Sequence, residues 1–365
     1  MKILFVSSSG NFFGGEKIIF SLAKEFKKFN YDIHVLIPFK GKFSQELEKE
    51  NINYEILNIR NSFDFKCIPT FIKIIKKIKP DLIHSHGFSP NLFSRFVSFI
   101  TKVPVICTIH VFQNHSFKNF GIKGLWYQYI EKFSYILSKK RCINTVVGKY
   151  LIKDIEYLNP VVIYNGLEKS DMQYLPPEKI KTFGMAGRIV WLKGLEEAVE
   201  AFSICLIEYP NIKFVIAGED ITPEKKWEKS LKEKIKKLGI EDKVEFMGFV
   251  DNIEDFYQKI DCLLLPSKKE PFGLVVIEAL LRNKIVVASN TTEILSKNYF
   301  EEFLINSKNI LDFADKLKKL LKINSNEINR IFYDIKTKKL LENFSKENMI
   351  NNYFLVYKNL LKKNQ

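Results

Sequence analysis

Two cations and two carboxylates stand at spacings that could serve the binding of a ligand. Arg188 and Lys193 stand five positions apart in Gly187-Arg188-Ile189-Val190-Trp191-Leu192-Lys193-Gly194. Glu270 and Glu278, with seven residues between them, frame Pro271-Phe272-Gly273-Leu274-Val275-Val276-Ile277. Arg presents parallel N–H groups to two oxygens and Lys adds a point charge, a combination suited to a diphosphate. Glu270 is expected on a loop and Glu278 one to two turns into a helix opening near Gly273, so the carboxylates would bracket the two ends of a ligand. The free N–H groups of that helix start are further donors for an anion. The competing reading is a surface turn and helix with solvated side chains.

The elements that must position these residues read as alternating strands and helices. The run 261–266 is a buried strand and 273–281 a helix, which puts Glu270 at the carboxyl end of a parallel strand, where open α/β sheets bind ligands. A strand from Thr182 delivers Arg188 and Lys193 to a helix with apolar positions Leu195, Val199, Phe202 and Leu206. Further strands are expected over 211–218, 244–246 and 286–288, with an exposed helix over 223–237 and Asp251 as an N-cap. The first half repeats the pattern. A strand over 2–8 leads through Phe13-Gly14-Gly15-Glu16 into a helix with Ile18, Ile19, Leu22, Ala23 and Phe26 inward. Strands recur at 32–38, 54–57, 82–85, 103–108, 142–146 and 161–164, as in a parallel sheet covered on both faces.

The 365 residues suggest two domains, and 46% hydrophobic content suffices for two cores. No stretch approaches the roughly 20 apolar residues of a membrane helix, and residues 1–6 lead straight into turn residues, so an intracellular chain, soluble or peripherally bound, is expected. Five scattered cysteines without a C-x-x-C pair read as small buried hydrophobes. The formal charge is +15, and positions 1–165 carry 24 basic against 12 acidic residues, so the excess lies far from the paired carboxylates. An acidic partner is implied, nucleic acid and anionic membrane being the candidates.

The Glu-x7-Glu element with Phe-Gly after its first Glu resembles the donor-site signature of the GT-B, family-four retaining glycosyltransferases. The resemblance extends to Gly187-Arg188 with Lys193-Gly194, to Gly14-Gly15-Glu16, which is similar to the family's Gly-Gly-x-Glu loop with Phe13 where its first Gly is often found, to Thr108-Ile109-His110, and to Gly248-Phe249-Val250-Asp251. It covers nearly the whole chain. The fold it implies is α/β, GT-B, two Rossmann-like doubly wound domains facing across a cleft. The acceptor domain would span 1–166, completed by a C-terminal helix over 345–365. A linker over 167–178 would lead to the nucleotide-sugar domain over 179–344.

By that resemblance the chain transfers a sugar from a nucleotide diphosphate sugar, UDP-sugar foremost, to a glycan or lipid-linked hydroxyl, with retention and without a metal or other cofactor. Arg188 and Lys193 would neutralise the leaving diphosphate, Glu270 would orient the sugar and His110 would contact it. Gly14, Gly15, Val250, Phe272, Gly273, Leu274 and Glu278 would complete the donor site, and Glu16 would face the acceptor. His84 and His86 read as packing groups. Departures from the family pattern fall at Phe13, at Val111 and at 290–293. The rivals are a sugar-nucleotide epimerase of the same fold and a basic nucleic-acid-binding protein. No nucleic-acid module is recognisable, so nucleic acid is not an expected partner.

Two segments carry basic residues among large apolar ones, 68–78 and 118–141. Each reads either as a helix lying on an anionic membrane or as a cover helix with a solvated Lys face. On the first reading Lys73, Lys76 and Lys77 would touch lipid.

Overall fold

A computed structural model of the chain describes residues 1–61, 64–110, 122–168, 172–270, 272–290, 304–337 and 341–363. It resolves into two compact units, Met1–Gly166 with Asn343–Gln365, and Leu167–Glu342.

The first unit is a seven-stranded sheet. In chain order its elements are β1 (Lys2–Val6), α1 (Gly14–Lys28), β2 (Asp32–Ile37), α2 (Lys42–Lys49), β3 (Asn53–Ile56), α3 (Cys67–Ile78), β4 (Leu82–His86) and α4 (Phe88–Thr101). There follow β5 (Val105–Ile109), α5 (Ile122–Ser138), β6 (Cys142–Val146) and β7 (Val161–Val162). The strand order is β3-β2-β1-β4-β5-β6-β7, with every pairing parallel. One face is covered by α1 and α2 together with the last helix of the chain (Lys346–Lys362), through Ile18, Leu22, Phe43, Met349 and Tyr353. The other is covered by α3, α4 and α5 in a continuous layer, with Phe71, Ile75, Phe93 and Val97 beneath it. Strands β1 and β5 are mostly apolar because both faces are buried, whereas the fully buried β4 carries His84, Ser85 and His86.

The second unit repeats the plan with β8 (Thr182–Ala186), α6 (Leu195–Leu206), β9 (Lys213–Ala217), α7 (Lys226–Leu238), β10 (Val244–Gly248) and α8 (Ile253–Lys259). Then come β11 (Cys262–Leu265), α9 (Leu274–Leu281), β12 (Ile285–Ser289), β13 (Leu304–Ile305), α10 (Ile310–Lys322) and α11 (Ser325–Thr337), the closing helix of the first unit being α12. Its all-parallel order is β10-β9-β8-β11-β12-β13. In both sheets the chain winds outward in one direction, then returns to the first strand and winds the other way. The reversal falls between β1 and β4 in one unit and between β8 and β11 in the other. Ligands of doubly wound sheets bind outside the carboxyl ends of the strands that flank this reversal.

Several sequence expectations are adjusted in detail. The helix expected from Pro223 begins at Lys226, and β5 runs one residue further, to Ile109. The cap of α8 is Asn252 and not Asp251: the Asn252 side chain accepts the Glu254 N–H at 3.2 Å. All five cysteines are free and buried. Val111, Pro271, 291–293 and the start of the second basic segment lie outside the described residues.

Candidate active site

In the second unit the loops leaving β8 and β11 are stitched together before any side chain is considered. The Lys268 N–H donates to the Leu192 carbonyl at 2.8 Å. Gly194, at φ +70°, lies so close to the second loop that a Cβ would stand 2.3 Å from the Pro266 carbonyl oxygen. Only glycine supplies both that conformation and that approach. The stitching delivers Lys193 to Glu270: Nζ and Oε2 are 2.7 Å apart, in a pair about one-quarter exposed on the Lys side and one-tenth on the Glu side. Ser267 Oγ donates to the same carboxylate oxygen at 3.2 Å.

Around this pair the backbone is compact. Gly218, at φ +136°, packs on the peptide of Gly187, and a Cβ there would stand 1.8 Å from the Gly187 oxygen. The Gly218 N–H donates to Gly248 at 2.7 Å, so the ends of β8, β9 and β10 are tied in sequence. Arg188 emerges from this crest exposed, while Val250 follows Gly248 and is partly buried. Phe272 is buried beneath the start of α9, and Gly273 caps that helix at φ +91°. The helix opens at Leu274, one residue after the expected start, so its first N–H groups belong to Leu274 and Val275.

Glu278 lies in the second turn of α9 and is held from behind. The buried Tyr257 hydroxyl donates to Glu278 Oε2 at 3.1 Å and approaches the Val275 carbonyl at 3.2 Å. Burial first, and the Glu278 charge with it, pushes this phenol well above its ordinary pKa, so it remains a donor. Arg282 lies over the Tyr257 ring, donates to the Glu278 carbonyl at 2.9 Å and pairs with Glu254. The spacing of the charged residues gave no sign of this support. Its signal, two aromatic residues opposite a helix carrying both Glu and Arg, emerges only once α8 and α9 are neighbours.

In the first unit Gly14 and Gly15 are the first two residues of α1, beside the reversal point. Glu16 is 4% exposed and turned inward, accepting from Ser7 Oγ at 2.9 Å, and burial raises its pKa. The structure thus gives Glu16 a partner at the end of β1. His110, immediately after β5, is partly buried, and its Nε2 lies 2.9 Å from His86 Nδ1 with the rings stacked. His86 Nε2 is buried without a partner. Donation from His86 Nδ1 leaves only a lone pair unmet there, the cheaper orphan, and sets the His110 proton on Nδ1. Burial pushes the His110 pKa down to about 4 and that of His86 well below the usual value, so both rings are neutral near pH 7.

Behind them His84 contacts Tyr357 at 2.7 Å and Thr108 at 2.8 Å, and Thr108 continues to Thr145 and Tyr353. A second buried network joins Arg95 to Glu131 at 3.3 Å and to Asn144 at 2.7 Å, with Tyr157 donating to Glu131 at 2.7 Å. A lone Arg in the apolar run 92–97 was its one visible trace. Among the described residues no three His, Cys, Asp or Glu side chains converge as metal ligands.

The model of glycosyl transferases group 1 matches residues 168–353, and that of glycosyltransferase family 4 matches residues 13–170. The chain is 24% identical over 379 residues, 99% of each chain, to an Escherichia coli O-antigen biosynthesis glycosyltransferase, WclY. It is 25% identical, over 79% of each chain, to the E. coli UDP-Gal:alpha-D-GlcNAc-diphosphoundecaprenol alpha-1,3-galactosyltransferase. In fold it is similar to Anabaena HepE, a structure in complex with UDP and glucose, with a TM-score of 0.83 at 20% identity over 98% of this chain and 100% of that one. The chain therefore belongs to the glycosyl transferases group 1, a family of glycosyltransferases with the GT-B fold.

Proposed function

We propose that the protein moves a sugar from a nucleotide diphosphate sugar, UDP-sugar foremost, to a hydroxyl of a lipid-linked glycan, with retention of configuration and without a metal ion, in the assembly of a bacterial surface polysaccharide. The observation that carries the donor half is the Lys193–Glu270 pair at the reversal between β8 and β11. Each member of the pair is the partner the other end of a sugar diphosphate would want. An entering donor exchanges one ion pair for two contacts, phosphate oxygen on Lys193 and sugar hydroxyl on Glu270, so the site is charged and ordered before the ligand arrives. Arg188 adds a second cation, the first N–H groups of α9 add neutral donors, and Glu278 takes the ribose hydroxyls.

In the transfer, the bond from the anomeric carbon to the diphosphate oxygen breaks as the acceptor oxygen bonds to the same face. The acceptor proton passes to the departing phosphate, whose negative charge Arg188 and Lys193 hold in place of a divalent cation. The role that the family resemblance gives His110 is contact with the sugar, and its ring, neutral and fixed by His86, would add no positive charge beside the developing oxocarbenium ion.

The acceptor half is supported by the names of the two E. coli relatives and by charge. The first unit carries 28 basic against 13 acidic residues, the second 29 against 29. The whole surplus thus belongs to the unit that does not hold the cation pair, which favours a protein working at the inner face of an anionic membrane.

The test is a thermal-shift and calorimetric panel of UDP, GDP, ADP and CMP sugars with EDTA present, followed by NMR of the product anomer. Tight binding of a UDP-sugar in EDTA and a product of unchanged anomeric configuration are expected. A strict divalent-metal requirement would remove the cation-pair account.

A further inference from the structure

Helix α5 packs Tyr135 on the core, yet it also buries polar residues and exposes large apolar ones. Its inward residues include Glu131, Ser134 and Ser138, all buried. Glu131 meets Arg95 and Tyr157, while Ser134 and Ser138 donate back to carbonyls three and four residues earlier. Its outward face carries Leu125, Trp126, Tyr129, Phe133 and Ile136, of which Leu125, Trp126 and Tyr129 are 67%, 59% and 66% exposed. These positions recur at helical spacing and form one stripe. The Trp126 and Tyr129 rings meet edge to face, 6.3 Å apart. Scattered apolar residues on a surface are ordinary, whereas five in one stripe above a polar inner face mark an interaction surface.

The charges around the stripe say what it meets. Glu131 is the one acid of α5 and is buried, whereas Lys132, Lys139 and Lys140 are exposed. In the same helical layer α3 exposes Lys73, Lys76 and Lys77, although Lys77 is paired with Glu55 at 2.9 Å. A stripe of Trp, Tyr, Phe and Leu flanked by lysines is the pattern of a helix lying at the headgroup boundary of an anionic bilayer. A second copy of this chain would set one basic unit against another.

We propose that the outer face of α5 docks on an anionic lipid bilayer, its aromatic residues entering the interface and Lys132, Lys139 and Lys140 with the lysines of α3 drawing it there. This rests on the lipid-linked acceptor proposed above. Docking of this kind is reversible, since one amphipathic helix does not anchor permanently.

The test uses the full chain with vesicles of phosphatidylcholine, alone or mixed with phosphatidylglycerol, at low and high salt. The wild type is expected to sediment with mixed vesicles at low salt and to stay in solution with phosphatidylcholine alone. A Trp126→Ser/Tyr129→Ser/Phe133→Ser variant is expected to lose at least about tenfold of that binding, with unchanged thermal unfolding and UDP affinity because the replaced side chains face solvent. With Trp191→Phe/Trp227→Phe as background, Trp126 emission is expected to shift to the blue on mixed vesicles and to be quenched by brominated lipid chains. Equal sedimentation of wild type and aromatic variant would overturn the proposal. So would a wild type that ignores mixed vesicles, or a homodimer that the aromatic variant splits. The UDP measurement separates the two readings: vesicle binding without UDP binding removes the donor site and leaves the docking face, and UDP binding without vesicle binding does the reverse.

Discussion

Two polar clusters, one in each unit, are held in opposite ways. In the second, Lys193 and Glu270 meet on loops beyond the strand ends, partly open to solvent and with each other as partners. In the first, Arg95, Glu131 and His84 are completely buried and joined to several groups at once. A pair of the first kind can be opened by a ligand that satisfies both members, and a network of the second kind can be opened only by unfolding. Charge on a loop therefore serves binding, and charge inside the first unit serves the shape of the sheet.

The strongest way to break this contrast is Lys193→Ala. Loss of a cation facing a leaving diphosphate is expected to lower kcat/KM about 10²- to 10³-fold and to weaken UDP binding. Thermal unfolding should change little, because Lys193 belongs to no core cluster. A folded variant with near-normal turnover, measured by release of UDP, would show that the pair is structural after all.

Arg95→Leu tests the other side. It leaves Glu131 buried with only Tyr157, among the described residues, as a side-chain donor, and an uncompensated buried charge costs about 3–5 kcal/mol. Urea unfolding should move by that order, while the folded protein keeps its UDP affinity. Adding Glu131→Leu should return part of the loss, since it removes the stranded charge.

The histidines of the first unit extend the contrast to pH. Burial lowers the pKa of His84 and His86 well below the usual 6.5 and that of His110 to about 4, so the folded state binds fewer protons than the unfolded one in the interval between. Stability is then complete above about pH 6.5 and falls as pH drops toward about 4, with a slope of up to about 1.4 kcal/mol per pH unit for each histidine. Glu16, raised by burial, works in the opposite sense and offsets part of the slope. Unfolding free energies measured by urea at about pH 7 and about pH 5.5 should therefore differ clearly. A flat profile would mean that the histidines titrate freely.

What the sequence disclosed follows the same division. Strand-loop-helix alternation and the Arg-Lys and Glu-Glu spacings were legible because each is local: a strand end, a turn glycine and a helix start lie within a dozen residues. The partners were not. Lys193 and Glu270 are 77 positions apart and Arg95 and Glu131 are 36 apart, so their pairing depends on the order β9-β8-β11 and on α5 lying against α4. The two basic segments show the limit most plainly. Both read as basic segments with large apolar residues, yet α3 buries Phe71, Ile74, Ile75 and Ile78 beneath its lysines and is a cover helix, while α5 exposes large residues. Apolar residues occur on more than one side of α5, so periodicity alone does not choose the face that turns inward; the Arg95–Glu131 contact does.

The smallest expected effect sharpens the account of Glu278. Its carboxylate accepts from Tyr257, and the same residue's carbonyl accepts from Arg282, which is held in turn by Glu254. If Glu278 binds the nucleotide ribose, Tyr257 acts through it by fixing its rotamer and does not touch the ligand. Tyr257→Phe keeps the ring under Arg282 and removes one hydrogen bond, a change of about 1 kcal/mol, or roughly fivefold in equilibrium terms. That loss should fall on UDP affinity and on KM, with kcat nearly unchanged, because the hydroxyl lies on the nucleotide side of the site and not at the transferring sugar. Glu278→Gln keeps the acceptor oxygen but discards the charge, and it should weaken UDP binding more than Tyr257→Phe does. Calorimetry with UDP on both variants decides the matter: if the Phe variant lowers kcat and spares affinity, Glu278 is not the nucleotide's partner and the site must be redrawn around Glu270.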